Sequence, residues 1–477
     1  MREPKHPDPE KQKIIEEAVR SGQGHVFRWW HEMGEQGKER LLKQLQAIAF
    51  RELGELYNQW KGAATPVSEQ KIEPAEIISI PKTQEEISKA QRAVHRGEEA
   101  IRAGKIAAFV VAGGQATRLG IEAPKGTLKI TPVREKTIFE HHSEKILALS
   151  ARHKTRIPLY VMTSETNDGA TREFFELNRY FGLDPSDVFV FKQEMMPALD
   201  FKGKLVLDAK DHIFTSPNGH GGSITSLKRA GALADMQARG IEYIFYFQVD
   251  NVLIKMADPL FLGHHIERGA EMSAKVAPKR DPEEKVGVVC RVGNATTVIE
   301  YSDLPDDYKY ARNPDGSLTF SAGNLAIHVL SVDFVERLNT EKHSLPFHIA
   351  EKIIPFLDDN GSLVKPKKKN GLKFEKFVFD ALSRARATSI LEVDRDEEFA
   401  PIKNETGEDS PDTARDLMMR LSAKWLEKAG ARVPRDSNGR VKGMLEISPL
   451  FALDAAMLKA KLPADFEVRF PLYLGPE

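Results

Sequence analysis

Apolar residues recur at three- and four-residue steps through Leu41, Leu42, Leu45, Ile48, Ala49, Leu53 and Leu56. That is the period of an amphipathic helix, and residues 11–61 are predicted to be helical throughout. Trp29, Trp30 and Trp60 are expected to join these helices as packed aromatics. The next stretch, "GAATPVSEQKIEPAEIISIPKT", carries three prolines and no helical period, so it reads as a connecting arm. A further helix is expected over 85–103, with Gly104 as its stop.

From Lys105 the pattern changes. The runs "IAAFVVA", "IPLYVMTS", "DVFVFKQ" and "YIFYFQVD" are apolar almost without interruption, as strands covered on both faces must be. Helices are predicted between them. One starts at Thr137, where Thr-x-x-Glu140 forms a capping box, and others span 171–180 and 223–239. Alternation of this kind implies an α/β fold with a doubly wound, mainly parallel sheet. Near residue 397 a smaller segment begins. It holds a helix over 413–429, closed by Gly430, and the strand-like pieces "RVKGMLEIS" and "FEVRFPLYL". The expected organisation is therefore a helical region and arm over 1–104, a main domain over 105–396 and a small C-terminal lobe over 397–477.

Charge changes this picture little. Lys plus Arg number 69 and Asp plus Glu 70, so no bulk field favours nucleic acid or an anionic membrane, and any anion site must be local. The basic run "KPKKKN" reads as a solvated loop. No apolar run approaches the roughly 20 residues that span a bilayer. Cys290 is the only cysteine, which excludes an intramolecular disulfide and fits a reducing compartment. The charged N-terminus has no signal-peptide core, and a cytoplasmic protein is expected.

The candidate chemistry starts at "FVVAGGQATRLGIEAPKG". A strand that runs into Gly113 and Gly114 can present backbone N–H groups to an anion at close range, and Arg118 and Lys125 follow within the same stretch. The spacing is neither G-x-G-x-x-G nor that of a Walker loop. Asp250 also follows an apolar strand directly, so both features should share the rim where such sheets bind ligands. A lone carboxylate at a strand end suits Mg2+, which takes few carboxylates and completes its shell with substrate phosphates. The alternative is that Asp250 caps the helix after "DNVLIKMADP".

Eight ordered motifs resemble those of the UDP-N-acetylhexosamine pyrophosphorylases, within the UDP-sugar pyrophosphorylase family. They are "AGGQATRLGIEAPKG", "KQEMMPALDFKGKLVLD", "PNGHGG", "QVDN", "VGVVCRV…TTVIEYSDL", "AGNLAIH", "GLKFEKFVFDAL" and "EFAPIKN". The resemblance implies a Rossmann-like nucleotidyltransferase sheet. It also implies Mg2+-dependent uridylyl transfer from UTP to an N-acetylhexosamine 1-phosphate, with UTP and the sugar 1-phosphate as the partners. By the same resemblance, Arg118, Lys125 and Lys403 handle the phosphates, Gly113, Gly114, Gln193 and Gly219 bind the nucleotide, and Asp250 holds the metal. His220, Gly287, Glu300 and Asn324 would face the sugar, and Phe377 and Phe379 would wall its acetyl group or serve as core. Ala116 stands where the family usually has glycine. His220 stands where the N-acetylhexosamine enzymes carry Asn and the UDP-glucose enzymes His. The expected products are UDP-N-acetylglucosamine, with UDP-N-acetylgalactosamine as a second, and pyrophosphate. The alternatives are a UDP-glucose or broad UDP-sugar pyrophosphorylase, or a catalytically silent UDP-sugar-binding protein. The sequence assigns no oligomeric state.

Overall fold

The computed structural model describes residues 4–62, 71–114, 119–120, 122–340 and 344–476. Two compact units emerge, one drawn from residues 1–69, 194–222 and 345–378, the other from 70–193, 223–344 and 379–477.

In the first unit the predicted N-terminal helix is divided into Pro9–Arg20, Glu35–Gln46 and Phe50–Gly62, with a 3-10 turn at Gly24–Phe27. Gly22, at φ +76, ends the first helix in a conformation that side chains disfavour, which the apolar period alone could not reveal. Trp29 and Trp30 are buried with Leu41, Leu42, Leu45, Leu53 and Leu56. Their core is completed by Leu199, Leu205, Leu207, Ile213, Leu372 and Phe374 from later in the chain. Trp60 stacks on Phe201 at 5.6 Å. The "KPKKKN" run lies in an exposed loop after the strand Leu363–Val364.

The second unit is built on a 10-stranded sheet. Val188–Lys192, Leu159–Thr163, Ile106–Val111 and Tyr243–Gln248 lie side by side and parallel, each at the position expected from its apolar run. Every residue of Ile106–Val111 and Leu159–Thr163 is buried, which is why these runs lack polar alternation. The helices Ile138–His153 and Asp168–Leu177 make the crossovers. Thr137 caps the first of them by accepting from the Glu140 N–H. The predicted 223–239 helix is two helices, Ser223–Arg229 and Ala232–Ala238, broken at Gly231 with φ +77. Chain order along the parallel block reverses between Ile106–Val111 and Tyr243–Gln248, the point where such sheets open a binding crevice.

Antiparallel strands extend the sheet beyond Tyr243–Gln248: Ala322–Ser331, then Val288–Val292, with Met272–Pro278 and Ala295–Ile299 beside them. Part of the connecting arm joins as the edge strand Ile72–Pro74, where Pro74 needs no N–H for the ladder. The helices Gln84–Arg102 and Pro259–Glu267 pack backbone to backbone. A Cβ on Gly97 would fall 2.0 Å from the Pro259 carbonyl oxygen, and one on Gly263 would fall 1.7 Å from that of Ala93. At the C-terminus, Pro411–Ala429 is capped by Ser410 and ended by Gly430, and the short strands Leu445–Ile447 and Leu472–Leu474 pair in parallel. No helix among the described residues is long and apolar enough to cross a membrane.

Candidate active site

Most of the predicted residues of the second unit converge on one rim of its sheet. Val111 and Gln248 are paired neighbours at the ends of parallel strands, so the chain leaves both strands side by side toward Gly113 and toward Asp250. Gln193 leaves the adjacent block one residue after Val188–Lys192. The antiparallel strands run the other way, so Asn324 lies near the start of its strand on that same rim. Gly287 precedes Val288, and Glu300 follows Ile299, which pairs with Val288.

The glycine loop is held from beneath. Buried Asn167 donates to the Ala112 carbonyl at 2.9 Å and accepts from the Ser164 N–H at 2.7 Å. The Gly114 carbonyl accepts from the Lys125 N–H at 3.3 Å, folding the lysine back toward the loop. Gln193 is 8% exposed, and its Nε2 would lie 2.8 Å from a Cβ on Gly113. Glycine therefore lets the loop backbone meet this amide. Lys125 Nζ donates to Asp250 Oδ2 at 3.2 Å, with both side chains mostly buried. Arg118 lies outside the described residues, as do Gln115 and Ala116.

Among the described residues Asp250 caps no helix. That position belongs to Asp258, whose carboxylate accepts from the Leu260 N–H of Pro259–Glu267. The Asp250 carboxylate is left for the rim. No cluster of three or more His, Cys, Asp or Glu that could hold a metal occurs among the described residues. A single carboxylate at a strand end beside a glycine loop is a donor set that a magnesium ion sharing its shell with phosphates would fit.

Lys403 approaches from the far end of the sequence. The Ile402 N–H donates to the Asp250 carbonyl at 3.1 Å, which brings Lys403 beside the same strand exit. Its Nζ lies 3.5 Å from Asp409 Oδ2 and 5.7 Å from the Phe399 ring centroid. On the antiparallel side the Asn324 N–H donates to the Gly287 carbonyl at 2.9 Å, and a Cβ on Gly287 would meet Glu300 Oε1 at 3.0 Å. Gly287, Glu300 and Asn324 are thus one group. Phe379 is buried at 6% exposure in the second unit.

Gly219, His220 and Phe377 belong to the first unit. A Cβ on Gly219 would strike the Lys376 carbonyl oxygen at 2.4 Å, so only glycine allows that approach. His220 accepts at Nδ1 from the Val378 N–H at 3.1 Å and stacks on Phe377 at 5.3 Å. Phe377 also packs against His348 at 4.5 Å. Burial, with a smaller contribution from His348, lowers the His220 pKa to about 4. The ring is neutral near pH 7, and its proton resides on Nε2 because Nδ1 accepts.

One residue that holds the rim escapes sequence reasoning: Asn167 is a buried amide bonded to backbone groups, and from composition it looks like any turn asparagine. Asn251 follows the same strand as Asp250, but the backbone groups its amide holds could not be read from the sequence.

Comparison with known proteins gives the family. Residues 48–460 match the family model described as UTP--glucose-1-phosphate uridylyltransferase. The chain is 37% identical to UDP-N-acetylhexosamine pyrophosphorylase-like protein 1 of Xenopus tropicalis, over 96% of this chain and 95% of that one. It is 36% identical to the UDP-N-acetylglucosamine pyrophosphorylase of Saccharomyces cerevisiae, over 87% and 91% respectively. Among solved structures, the uridine diphosphate N-acetylglucosamine pyrophosphorylase from Trypanosoma brucei in complex with inhibitor aligns with a TM-score of 0.81 at 27% identity. That alignment covers 96% of this chain and 95% of that one.

Proposed function

This chain belongs to the UTP--glucose-1-phosphate uridylyltransferase family, and on that premise we propose that it transfers the uridylyl group of UTP to N-acetylglucosamine 1-phosphate in the cytoplasm. N-acetylgalactosamine 1-phosphate is a second acceptor. One observation carries the reading: the glycine loop, Lys125, Asp250 and the Lys403 segment meet at the switch point of the sheet.

In the reaction an oxygen of the sugar phosphate attacks the α-phosphorus of UTP. The new P–O bond forms as the bond to the β-phosphate bridging oxygen breaks, and that oxygen leaves with its electron pair as pyrophosphate. Both reactants are anions, so the residues must offset repulsion and hold an in-line geometry; no covalent nucleophile is required. Gly113 and Gly114 offer backbone donors to the nucleotide. Arg118, Lys125 and Lys403 balance phosphate charge. Asp250 would hold Mg2+, which when bound supplies charge neutralisation and orientation of the phosphates. Gly287, Glu300 and Asn324 present a carboxylate, an amide and backbone groups to the sugar hydroxyls and acetamido group, with Phe379 as an apolar wall. The primary test is pyrophosphate release from UTP with a panel of sugar 1-phosphates, and N-acetylglucosamine 1-phosphate should give the highest kcat/KM.

The amide of Gln193 can donate and accept at once, as the uracil edge demands. UTP should therefore exceed CTP, ATP and GTP as donor. A site built to hydrogen-bond a particular group discriminates by about 10⁴-fold or more against an analogue lacking it. Comparable turnover with ATP would remove Gln193 from base recognition.

His220 favours a second reading, a glucose-type pocket, because a neutral imidazole cannot present the paired donor and acceptor of an amide. The names of the relatives favour the acetamido sugar. Under the first reading, His220→Asn leaves the preference for N-acetylglucosamine 1-phosphate in place. A wild-type kcat/KM for glucose 1-phosphate at or above that for N-acetylglucosamine 1-phosphate would reverse the choice of sugar and leave uridylyl transfer standing.

A further inference from the structure

Asn251 follows Asp250 directly and is 2% exposed. Its carboxamide uses both of its functions on one segment. Nδ2 donates to the Glu398 carbonyl at 2.8 Å, and Oδ1 accepts from the Ala400 N–H at 2.9 Å. Asn251 and Pro401 form an antiparallel bridge, and the Ile402 N–H donates to the Asp250 carbonyl at 3.1 Å. The chain from Glu398 to Ile402 is thereby laced along the exit of the Tyr243–Gln248 strand, and Lys403 is the next residue after the last tie.

Both sides of this clasp are anchored in the interior. The Glu398 carboxylate pairs with Lys275, which is fully buried on the Met272–Pro278 strand and also donates to Asp258 Oδ2 at 2.7 Å. On the other side, buried Lys145 donates to the Val252 and Ile254 carbonyls at 2.6 and 2.8 Å. The residues after Asp250 are therefore held to the helix Ile138–His153 and Glu398 to the strand Met272–Pro278, and the Asn251 amide ties one segment to the other.

We propose that Asn251 is a positioning residue: it fixes Lys403 against Asp250, so that the two phosphate-handling elements reach the substrate in one geometry. The inference rests on the reading of Lys403 as a phosphate ligand. An amide is required because the clasp needs a donor and an acceptor from one side chain. Aspartate would keep the acceptor for Ala400 and set a carboxylate against the Glu398 carbonyl, and alanine would remove both bonds. A displacement of about 1 Å in a group that positions a reactant can lower the rate about 100-fold.

A double-mutant cycle on kcat tests this, with melting temperature measured for every variant. Asn251→Ala is expected to lower kcat about 100-fold in the wild-type background. In the Lys403→Ala background it should lower kcat by no more than about 3-fold, because the group it positions is gone. A merely structural role would give the same fold loss in both backgrounds, and that result, or no loss at all, overturns the proposal. A normal kcat for Lys403→Ala alone would strike at the functional reading instead. If Asn251→Ala fails to fold, Asn251→Asp carries the same cycle, with the donor lost and a negative charge set against the Glu398 carbonyl. Amide exchange in the wild-type chain gives an independent check. The Ala400 and Ile402 amides should exchange slowly and together, and exchange as fast as in an open loop would refute the clasp.

Discussion

Asp250→Asn is expected to lower turnover about 1000-fold while leaving the fold intact. The substitution preserves size and removes only the charge. The Asp250 carbonyl that receives the Ile402 N–H is untouched, and an amide oxygen in place of Oδ2 can still accept from Lys125 Nζ. What disappears is the carboxylate at the end of the Tyr243–Gln248 strand, which no helix uses as a cap. UTP binding by calorimetry, with and without Mg2+, separates the possible causes. Wild type should bind UTP more tightly when Mg2+ is present, and the variant should lose that dependence while its melting temperature holds. Normal turnover of Asp250→Asn in Mg2+ would show that the carboxylate serves Lys125 alone.

The parallel half of the sheet was legible in the sequence because its inner strands, Ile106–Val111 and Leu159–Thr163, are buried on both faces, which forces continuous apolar runs, and the half-buried end strand Val188–Lys192 is still mostly apolar. Ile106–Val111, Leu159–Thr163, Val188–Lys192 and Tyr243–Gln248 all occupy the predicted runs. The antiparallel half was harder to read. Ile72–Pro74 sits in a proline-bearing arm whose strand character comes from its partner Val288–Val292, more than 200 residues later in the chain. Interruptions at Gly22 and Gly231 were hidden for a related reason, since a hydrophobic period runs on across a break that leaves the apolar face in register. At the rim, Gly113, Gly114 and Asp250 with its neighbour Asn251 announced themselves through position after a strand, with Lys125 in the same stretch as the glycines, and Gln193 only through the family resemblance. Asn167 did not, and the clasping role of Asn251 stayed hidden, because their partners are backbone groups brought near only by the fold. The first-unit residues Gly219 and His220 were legible only through the "PNGHGG" motif, since no period or strand end marks them.

Lys403→Ala is the second large effect expected, and it should appear in turnover with little change in stability. The lysine side chain is 47% exposed, and its ion pair with Asp409 at 3.5 Å is of the exposed kind that contributes about 0–1 kcal/mol. Its backbone is held independently by the Lys403 N–H, which donates to the Asp409 carbonyl at 2.7 Å, so truncation beyond Cβ leaves the segment in place. The melting temperature should therefore shift little. Turnover responds differently, because a cation aimed at phosphates gains strength as charge concentrates on the departing pyrophosphate. Removing one such donor typically costs about 100- to 1000-fold, or roughly 2.7–4 kcal/mol. Lys403→Arg keeps the charge on a longer, planar group and should recover part of the loss, whereas Lys403→Gln should not. The measurement is kcat for pyrophosphate release at saturating UTP and sugar 1-phosphate. If Lys403→Ala turned over at the wild-type rate, the pairing with Asp409 would be the whole role of this lysine, and the far segment would have no part in the chemistry.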